Sequence, residues 1–538
     1  MGNSTLMRWP VTAILVLGVV VTVLYKAMAV YIPRPGPVQV SSTSTPSAFK
    51  IKHIFHNAAD GRTHKRLDIN DEFLSIYNSA QPQVAHIEDM DLFDVSPFEQ
   101  ELVIRHTKGQ TIRLADRSPD FVESYLDFAL ENGPASRMIE FDWQQESLLI
   151  PNMSDKETII SLALMSSDAY VGLPTDADWN DVGEKYNESE RFGWENGGVR
   201  GHVFTDPEET IVIISIKGTS AAGLNTGGDG QTVEQDKTND NLLFSCCCAR
   251  VSSLWKTVCD CYEESYTCNQ NCLEQELRRP DRYYKAVLDI YRNVTHMYPE
   301  SEIWVTGHSL GGSLSALLGR TFGLPAVSFE AVGELLATRR LHLPMPPGLP
   351  EEMENIWHVG NTADPIFMGV CNGASSTCSL AGYALETQCH SGKKCVYDVV
   401  NDLGWHVNLL NHRIRTIISD VLMVYNDTAE CVKSPPCYDC YNWRFVDHSG
   451  DRYRTTASSP LPTPSDPPGR RCLKRTWYGR CYEWADDPSS VKTTFSTSTI
   501  YSKTSDIRTS TDTHTGGNST CIRRSWLGYC LEYGPGLH

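Results

Sequence analysis

The stretch VTGHSLGGSLSALLG, Val305 to Gly319, places a serine between two glycines in the pattern Gly-x-Ser-x-Gly. The run EIWVT, Glu302 to Thr306, enters the first glycine and predicts a buried parallel strand. A helical periodicity from Leu277 to Met297 precedes this strand, and Pro299 ends it. The residues after Ser309 are small and apolar, which favours a helix packed closely on the strand. The stretch therefore predicts a strand, a sharp turn and a helix.

The two glycines give that turn a chemical meaning. A nucleophilic serine at the tip of such a turn has a strained backbone, and the residues two before and two after it must lack a Cβ. Gly307 and Gly311 meet this requirement. The following helix directs its N–H groups, that of Leu310 first, to the place where an oxyanion would form. The alternative is an ordinary Gly/Ser turn of a dinucleotide-binding unit, but the strand-turn-helix context favours Ser309 as a nucleophile.

A serine nucleophile needs a base, and the base needs an orienting carboxylate; in this architecture the chain order is Ser, Asp, His. Asn355 to Val359 predicts the next strand, and the loop GNTADPI, Gly360 to Ile366, follows it. Asp364 in that loop therefore lies at the same sheet edge as Ser309. The alternative role of Asp364 is that of a turn former before proline.

Four downstream histidines compete for the role of base. His358 lies within the predicted strand, and His390 lies between two cysteines, in an expected disulfide loop. His412 begins the periodic run RIRTIISDVLMVY, so it lies at a junction between a loop and a helix. Such a junction suits a base, and we interpret His406 as a capping or surface residue. His412 is the predicted base.

A second oxyanion donor is expected from an earlier strand end. The segment TIVIISIKGTS, Thr210 to Ser220, predicts a β-branched strand that ends in Gly218 and Thr219. Thr219 can offer a backbone N–H and a hydroxyl group to the pocket. Alone, the segment is only a buried strand with a turn.

Composition excludes one class of partner. The 538-residue chain has a net charge of -19 and a pI near 5.3. Binding to phosphate backbones requires a basic surface, so no nucleic-acid partner is expected. With 41% hydrophobic residues the chain can bury at least one large core.

An uncharged segment, Val11 to Leu24, lies near the N-terminus. It is short for a membrane span, although the apolar residues beyond Lys26 can extend it. A cleaved signal peptide would use the small residues Ala27 and Ala29, whereas an uncleaved signal anchor would use the interfacial Trp9. The residues alone favour neither.

Cysteines and glycosylation sequons agree on a compartment. All 18 cysteines lie after residue 245, which favours disulfides in the secretory lumen. Zinc is the alternative for Cys437-x2-Cys440 and Cys268-x3-Cys272, but neither has a second pair at finger spacing. The predicted acceptors of N-glycosylation are Asn152, Asn187, Asn293, Asn426 and Asn518. The body of the chain is therefore expected to be lumenal or extracellular.

Changes in amino-acid composition along the chain predict its domains. Residues 1–35 form an N-terminal segment, 36–50 a Pro/Ser/Thr linker, and 51–430 a globular domain with a Cys-rich insert at 244–272. Residues 431–538 are a Ser/Thr/Pro-rich tail that is expected to be disordered. Two C-x8-C repeats, 472–484 and 521–533, predict small disulfide hairpins that either bind a partner or stiffen a stalk. The insert is either a lid or a rigid surface excursion.

Four motifs in this order, namely IVIISI into KGTS, GHSLGG, GNTADPI and HRIRTII, make the chain similar to class 3 (fungal-type) lipases over about Ile159 to Tyr425. The leader, the Cys-rich insert and the Ser/Thr-rich tail resemble the autophagy-related vacuolar lipases. This resemblance implies an α/β-hydrolase fold, the triad Ser309, Asp364 and His412, and an oxyanion hole formed by Thr219 and Leu310.

The resemblance also implies a serine lipase or phospholipase that acts on membrane vesicles and lyses autophagic bodies in the vacuole lumen. It favours the uncleaved anchor, and hence a type II membrane protein of the endosome and multivesicular body. No metal or cofactor is expected for the reaction. Two alternatives stay open: a membrane-tethered binding protein on an inactive hydrolase core, and a peptidase or acyltransferase with the same triad.

Overall fold

The computed structural model describes residues 46–58, 64–80, 96–98, 100–132, 136, 138–170, 180–181, 198–219, 230–252 and 254–447, together with the backbone of four strands between 471 and 533. The predicted anchor, residues 1–35, lies outside them, as do most of the linker and the sequons Asn187 and Asn518. In the described residues no helix has the length and apolarity that a membrane span requires. The chain divides into two compact units, 1–450 and 451–538.

One large sheet organises the first unit. The strands of this unit are β1 Pro46–Ala58, β2 His64–Asp68, β3 Leu102–Leu114, β4 Trp143–Pro151, β5 Asn180–Asp181, β6 Gly198–Thr205, β7 Ile211–Ile216, β8 Tyr262–Glu264, β9 Thr267–Asn269, β10 Glu302–His308, β11 Ala326–Phe329, β12 Ile356–Asn361, β13 Lys393–Tyr397, β14 Cys431–Lys433 and β15 Arg444–Val446. The strand order of the large sheet is β14-β13-β12-β11-β10-β7-β6-β1-β2-β5, and β3 pairs with β1 and β4.

The helices of this unit cover the sheet and connect its parallel strands. They are α1 Asp71–Ala80, α2 Pro119–Asn132, α3 Lys156–Asp168, α4 Gly230–Phe244, α5 Gln270–Leu277, α6 Tyr283–Met297, α7 Leu310–Phe322, α8 Leu335–Arg340, α9 Thr377–Leu380, α10 Val399–Leu403 and α11 Ile414–Thr416. The last runs directly into a π-helical segment, Ile417–Leu422, and short 3-10 turns lie at Glu351–Met353 and Leu409–His412.

The middle of the sheet is parallel. Strands β7, β10, β11, β12 and β13 pair in parallel, with Val305 opposite Ile214 and Ala326. Strand β7 has apolar residues on both faces: Ile214 belongs to the core under α6 and α7, and Ile213 to the core under α3 and 417–422. A strand that is buried on both faces has apolar residues at successive positions, which is why IVIISI does not alternate between apolar and polar residues. This doubly covered parallel sheet is an α/β-hydrolase arrangement.

Disulfides cross-link the insert and the end of the first unit. Three bonds lie inside residues 244–272, and others tie that unit's later segments together. Among the described residues the pairs are Cys246–Cys440, Cys247–Cys268, Cys248–Cys259, Cys261–Cys272, Cys371–Cys378, Cys389–Cys437 and Cys395–Cys431. The disulfide prediction is confirmed, and both zinc candidates are excluded because their cysteines are oxidised. Cys389 and Cys395 each bond to a later cysteine and not to each other.

The sheet continues past residue 430, where the sequence predicts a tail. Cys431–Lys433 pairs antiparallel with β13, and the disulfide between Cys395 and Cys431 fixes that register. In the second unit the two repeats form hairpins: β16 Arg471–Arg475 pairs with β17 Cys481–Ala485, and β18 Cys521–Arg524 with β19 Cys530–Tyr533. Their disulfide closure lies outside the described residues, as does the tail beyond residue 447 apart from these four strands.

Candidate active site

The turn between β10 and α7 holds Ser309 in a strained conformation. Its φ of 57° and ψ of -128° lie outside the regions that L-residues favour. A Cβ on Gly307 would lie 2.6 Å from the carbonyl oxygen of Gly311, and one on Gly311 would lie 2.1 Å from that of Ile216. Both positions require glycine, because strand and helix backbones touch there.

Three side chains from distant parts of the chain converge at this turn. The Ser309 hydroxyl donates to Nε2 of His412 at 2.8 Å, and Nδ1–H of His412 donates to Oδ2 of Asp364 at 2.7 Å. All three are buried or nearly so, with Asp364 fully enclosed. The structure thus brings the three predicted residues together. His406 is exposed, and only its backbone carbonyl is used, by the amide of Asn411.

The loops that carry Asp364 and His412 are joined by backbone hydrogen bonds. The N–H of Asn408 donates to the carbonyl of Ala363 at 3.1 Å, and the Asn411 amide donates to the same carbonyl at 3.3 Å. Within its own loop, Oδ1 of Asp364 accepts the N–H of Ile366 at 2.8 Å. The second carboxylate oxygen is thereby directed at the imidazole.

A second buried carboxyl group lies beside Asp364. Glu330, at the end of β11, accepts a hydrogen bond from the Asn361 amide at 2.6 Å and forms another with Asp364. Burial and the neighbouring Asp364 raise the pKa of Glu330 well above its ordinary value. Burial opposes ionisation of Asp364 as well, but His412 holds the pKa of Asp364 below its ordinary value. Glu330 is therefore the neutral acid that donates, and Asp364 is the carboxylate.

His308 positions the base from behind. The Tyr170 hydroxyl donates to Nδ1 of His308 at 2.8 Å, and Nε2–H of His308 donates to the backbone carbonyl of His412 at 2.7 Å. Burial lowers the pKa of His308 to about 3, so the ring is neutral and this arrangement of one acceptor and one donor is complete. Sequence reasoning missed Tyr170, Glu330 and His308, and only His308, adjacent to Ser309, had a signal in the motif.

The two expected oxyanion donors lie on the other side of Ser309, one at the start of a helix and one after the end of a strand. Leu310 is the first residue of α7, so its N–H lacks an intrahelical acceptor. Thr219 follows β7, and its Oγ1 lies 2.6 Å from Oδ2 of Asp240 on α4. Burial raises the pKa of Asp240 to about 8. Below that pH a neutral Asp240 can donate its O–H to Thr219, which frees the threonine hydroxyl to donate elsewhere.

The same side contains a buried ion pair. Nζ of Lys217 lies 3.8 Å from Asp236 and donates to the carbonyl of Gly218 at 3.0 Å. The hydroxyl of Tyr283 donates to Asp236 at 2.6 Å. Burial lowers the pKa of Lys217 to about 8. These contacts fix the backbone of residues 217–219, which carries the predicted oxyanion donor.

Comparison with known proteins gives one consistent result. A family model described as Lipase (class 3) matches residues 244–323. A protein named "Putative lipase ATG15" from Pichia angusta is 94% identical over 537 residues, covering 100% of both chains. Proteins of the same name from Candida albicans and Kluyveromyces lactis are 48% and 50% identical, covering 84% and 81% of this chain and 90% and 88% of theirs.

Solved lipase structures give weaker matches. A triacylglycerol lipase from Penicillium expansum is 16% identical with a TM-score of 0.22, covering 46% of this chain and 81% of that one. The Lip2 lipase from Yarrowia lipolytica is 17% identical with a TM-score of 0.20, covering 54% of this chain and 83% of that one. The family match therefore rests on the sequence relatives.

Proposed function

Because the chain belongs to the autophagy-related class 3 lipase family, we propose that it hydrolyses ester bonds of membrane phospholipids, with Ser309, His412 and Asp364 as catalytic triad. The observation that carries this proposal is the hydrogen-bonded chain from serine to imidazole to carboxylate. It turns a hydroxyl with no intrinsic nucleophilicity at neutral pH into an attacking group.

The reaction proceeds in two halves. Ser309 Oγ attacks the ester carbonyl carbon while His412 Nε2 takes the hydroxyl proton, and Asp364 stabilises the imidazolium that forms. The carbon–oxygen bond to the leaving alcohol then breaks, and His412 gives its proton to that alcohol. A water molecule, deprotonated by His412, next attacks the acyl carbon; the bond from that carbon to Ser309 Oγ breaks, His412 returns its proton to Oγ, and the fatty acid leaves. Each half returns the triad to its starting protonation state.

The negative charge on the carbonyl oxygen needs donors during both halves. The N–H of Leu310 is supplied by the start of α7, where the helix dipole also favours negative charge. Thr219 supplies the second donor; its hydroxyl, which donates to Asp240 at 2.6 Å, is released when Asp240 is protonated. Preorganised donors of this kind are each worth about 100- to 1000-fold in rate.

A lipid substrate is supported by apolar side chains on the loops that carry the triad. Val370 and Leu380 are exposed in the segment after Asp364, and Val407 and Leu410 are exposed in the segment before His412. Exposed apolar groups beside a buried active site are typical of a surface that meets membrane or partner. We therefore assign these segments to the membrane-contacting rim.

The Cys-rich insert supplies a further apolar contact. Leu254 at its tip is 96% exposed, whereas Val258 packs against the core and the disulfide Cys248–Cys259 spans the tip. We propose that this braced tip meets the lipid surface. Leu254→Ser is expected to lower turnover on vesicles about tenfold and to leave hydrolysis of a soluble short-chain ester unchanged. Met138→Ser, at a position that is 83% exposed and outside the insert, is the control. Equal losses on both substrates would contradict the proposal.

The compartment follows from the sequence signals. We propose that residues 1–35 anchor a type II protein delivered through endosomes and multivesicular bodies to the vacuole lumen, where the chain lyses autophagic bodies. Of the described sequons, Asn426 is exposed, which suits glycosylation. Asn152 and Asn293 are half-buried, and the Asn293 amide donates to the carbonyl of Asp289 inside α6. Asn426 is therefore the best placed acceptor of the three.

Purified full-length protein should be incubated with phospholipid vesicles and, separately, with a triacylglycerol emulsion. Wild-type protein is expected to release fatty acid faster from the vesicles, and Ser309→Ala is expected to release none. Ser161→Ala is the matched control, since its buried hydroxyl donates to the carbonyl of Val103 far from the triad. Equal release by Ser309→Ala and the control would reject the enzymatic proposal, and release from the emulsion alone would reject phospholipid as the substrate.

A further inference from the structure

Three buried side chains of the types that bind metals lie close together and outside the catalytic triad. Glu334 precedes α8, His358 lies on β12, and His390 precedes β13. Each of the three is at most 3% exposed, and one ligand atom from each lies within 4.8 Å of the ligand atoms of the other two. The sequence predicted only a strand residue at His358 and a disulfide loop around His390.

The polar atoms of this group face one another. Nε2 of His358 lies 3.4 Å from one carboxylate oxygen of Glu334, and Nδ1 of His390 lies 3.6 Å from the other. Both ring nitrogens of His358, Nδ1 of His390 and Oε2 of Glu334 make no hydrogen bond of normal geometry among the described residues. Buried polar atoms are nearly always satisfied, so four such atoms without hydrogen bonds in one cluster point to a further bound species.

The tautomer of His390 identifies the charge of that species. Nε2–H of His390 donates to the carbonyl of Phe367 at 3.0 Å, so in the neutral ring Nδ1 carries a lone pair. That lone pair faces the carboxylate of Glu334, an unfavourable contact unless a cation lies between them. Lys394 is half-buried nearby, but its ammonium lies over the Phe367 ring, 5.1 Å from the centroid.

Two of the three side chains, Glu334 and His390, have outer contacts of the kind found around a metal site. The Glu334 oxygen nearer His358 accepts the N–H and the hydroxyl of Ser391 at 2.8 and 2.5 Å, which orients the carboxylate. A histidine that donates its second N–H to a backbone carbonyl is the usual arrangement around a bound metal. Ligands 2.0–2.1 Å from a tetrahedral zinc are about 3.3 Å apart, close to the two separations seen here.

From this geometry we infer that Glu334, His358 and His390 form a structural site for a divalent transition metal, Zn²⁺, beneath the loop that carries Asp364. Two imidazoles and a carboxylate are a donor set that zinc prefers over magnesium and calcium. The ion links β12, the segment before α8 and the disulfide-bonded segment around residue 390. Through the carbonyl of Phe367, it also fixes the far end of the Asp364 loop.

The test measures metal, not activity. Full-length Ser309→Ala protein, purified from zinc-supplemented secretory expression and dialysed in metal-free buffer, should contain about one zinc per chain by mass spectrometry of the elements. Adding His358→Gln or His390→Gln should reduce this content at least tenfold. His202→Gln is the matched control, because His202 is a buried, unpaired imidazole on β6 outside any such group among the described residues.

A second measurement uses the unmodified protein, so its result does not depend on whether the variants fold. Unmodified protein stripped with a chelator should lose thermal stability, regain it on addition of Zn²⁺, and show the visible absorption of tetrahedral cobalt when loaded with Co²⁺. Protein that contains no zinc as purified and shows neither a thermal shift nor cobalt absorption would overturn the inference. Equal zinc content in His358→Gln, His390→Gln and the control would overturn the assignment to these ligands.

Discussion

The two sides of Ser309 each contain a pair of buried carboxyl groups, and the members of each pair differ in charge. On the acid side, Asp364 is ionised beside the His412 imidazole, and Glu330 is neutral. On the oxyanion side, Asp236 pairs with Lys217, whereas burial and the neighbouring Asp236 raise the pKa of Asp240 to about 8 against the opposing effect of the Thr219 hydroxyl. These carboxyl groups are similarly buried, so the side chain that each one contacts decides whether it is ionised. The acid side transfers protons, and the oxyanion side stabilises the negative charge that develops on the carbonyl oxygen.

The largest effect should come from removing the charge on the acid side. Asp364→Asn is expected to lower kcat about 10⁴-fold, since the neutral amide selects the wrong imidazole tautomer and cannot stabilise its charged form. Steady-state kinetics on a short-chain ester measure this, with the exposed Asp402→Asn as control. A loss smaller than about tenfold would show that the two sides are less different than their geometry indicates.

The oxyanion side should give a smaller effect that depends on one hydroxyl. Thr219→Val is expected to lower kcat about 100-fold, because the transition state loses a donor, and Thr219→Ser should retain most activity. Asp240→Asn keeps a donor for the threonine and should stay near wild type. If Thr219→Val and Thr219→Ser were equally active, only the backbone N–H of Thr219 would remain as a candidate donor.

Glu330 tests whether the neutral acid matters to its charged neighbour. Glu330→Leu removes the hydrogen bond to Asp364 and is expected to lower kcat/KM about tenfold, which corresponds to about 1.4 kcal/mol. Glu330→Gln, whose amide can donate in the same place, should lie within about threefold of wild type, a margin of well under 1 kcal/mol. Thermal denaturation of both variants separates a change in activity from a change in folding. The reverse ranking would mean that Glu330 is ionised.

The smallest effect concerns stability against pH. Asp168 on α3 resembles Asp240: burial raises its pKa to about 8, from an ordinary value of 3.8. The folded state therefore holds this proton more tightly than the unfolded state does, and the stabilisation, complete below about pH 4, is lost as the pH rises to about 8. Asp168→Asn should flatten the fall in Tm between pH 5 and 8. A slope identical to that of Asp402→Asn would contradict the raised pKa.

Local pattern predicted the parts of the site that local backbone chemistry determines. Gly307 and Gly311 could be recognised because the elbow excludes a Cβ at both positions, and Asp364 because a strand ends just before it. Nothing near Tyr170 in the sequence indicates that its hydroxyl reaches His308, 138 positions away. The same holds for Asp240 and Thr219. Such contacts depend on how whole elements pack.

The disulfides show the same limit. Cysteine number and the lumenal signals predicted that bonds form, but the pairing of Cys246 with Cys440, 194 positions apart, depends on the fold. Local sequence also explains why the middle of the sheet could be predicted: β7 and the centre of β10 are runs of apolar, β-prone residues, which are typical of strands covered on both faces. The continuation of the sheet at Cys431 had no such run to reveal it.

The central claim is that His412, held by Asp364, activates Ser309, and covalent labelling tests it most directly. Full-length protein treated with a fluorophosphonate probe should carry one label, located on Ser309 by peptide mass spectrometry, and His412→Gln should react at least 1000-fold more slowly, the order expected for loss of a triad member. Labelling of another residue, or labelling of Ser309 at the same rate in His412→Gln, would contradict the account.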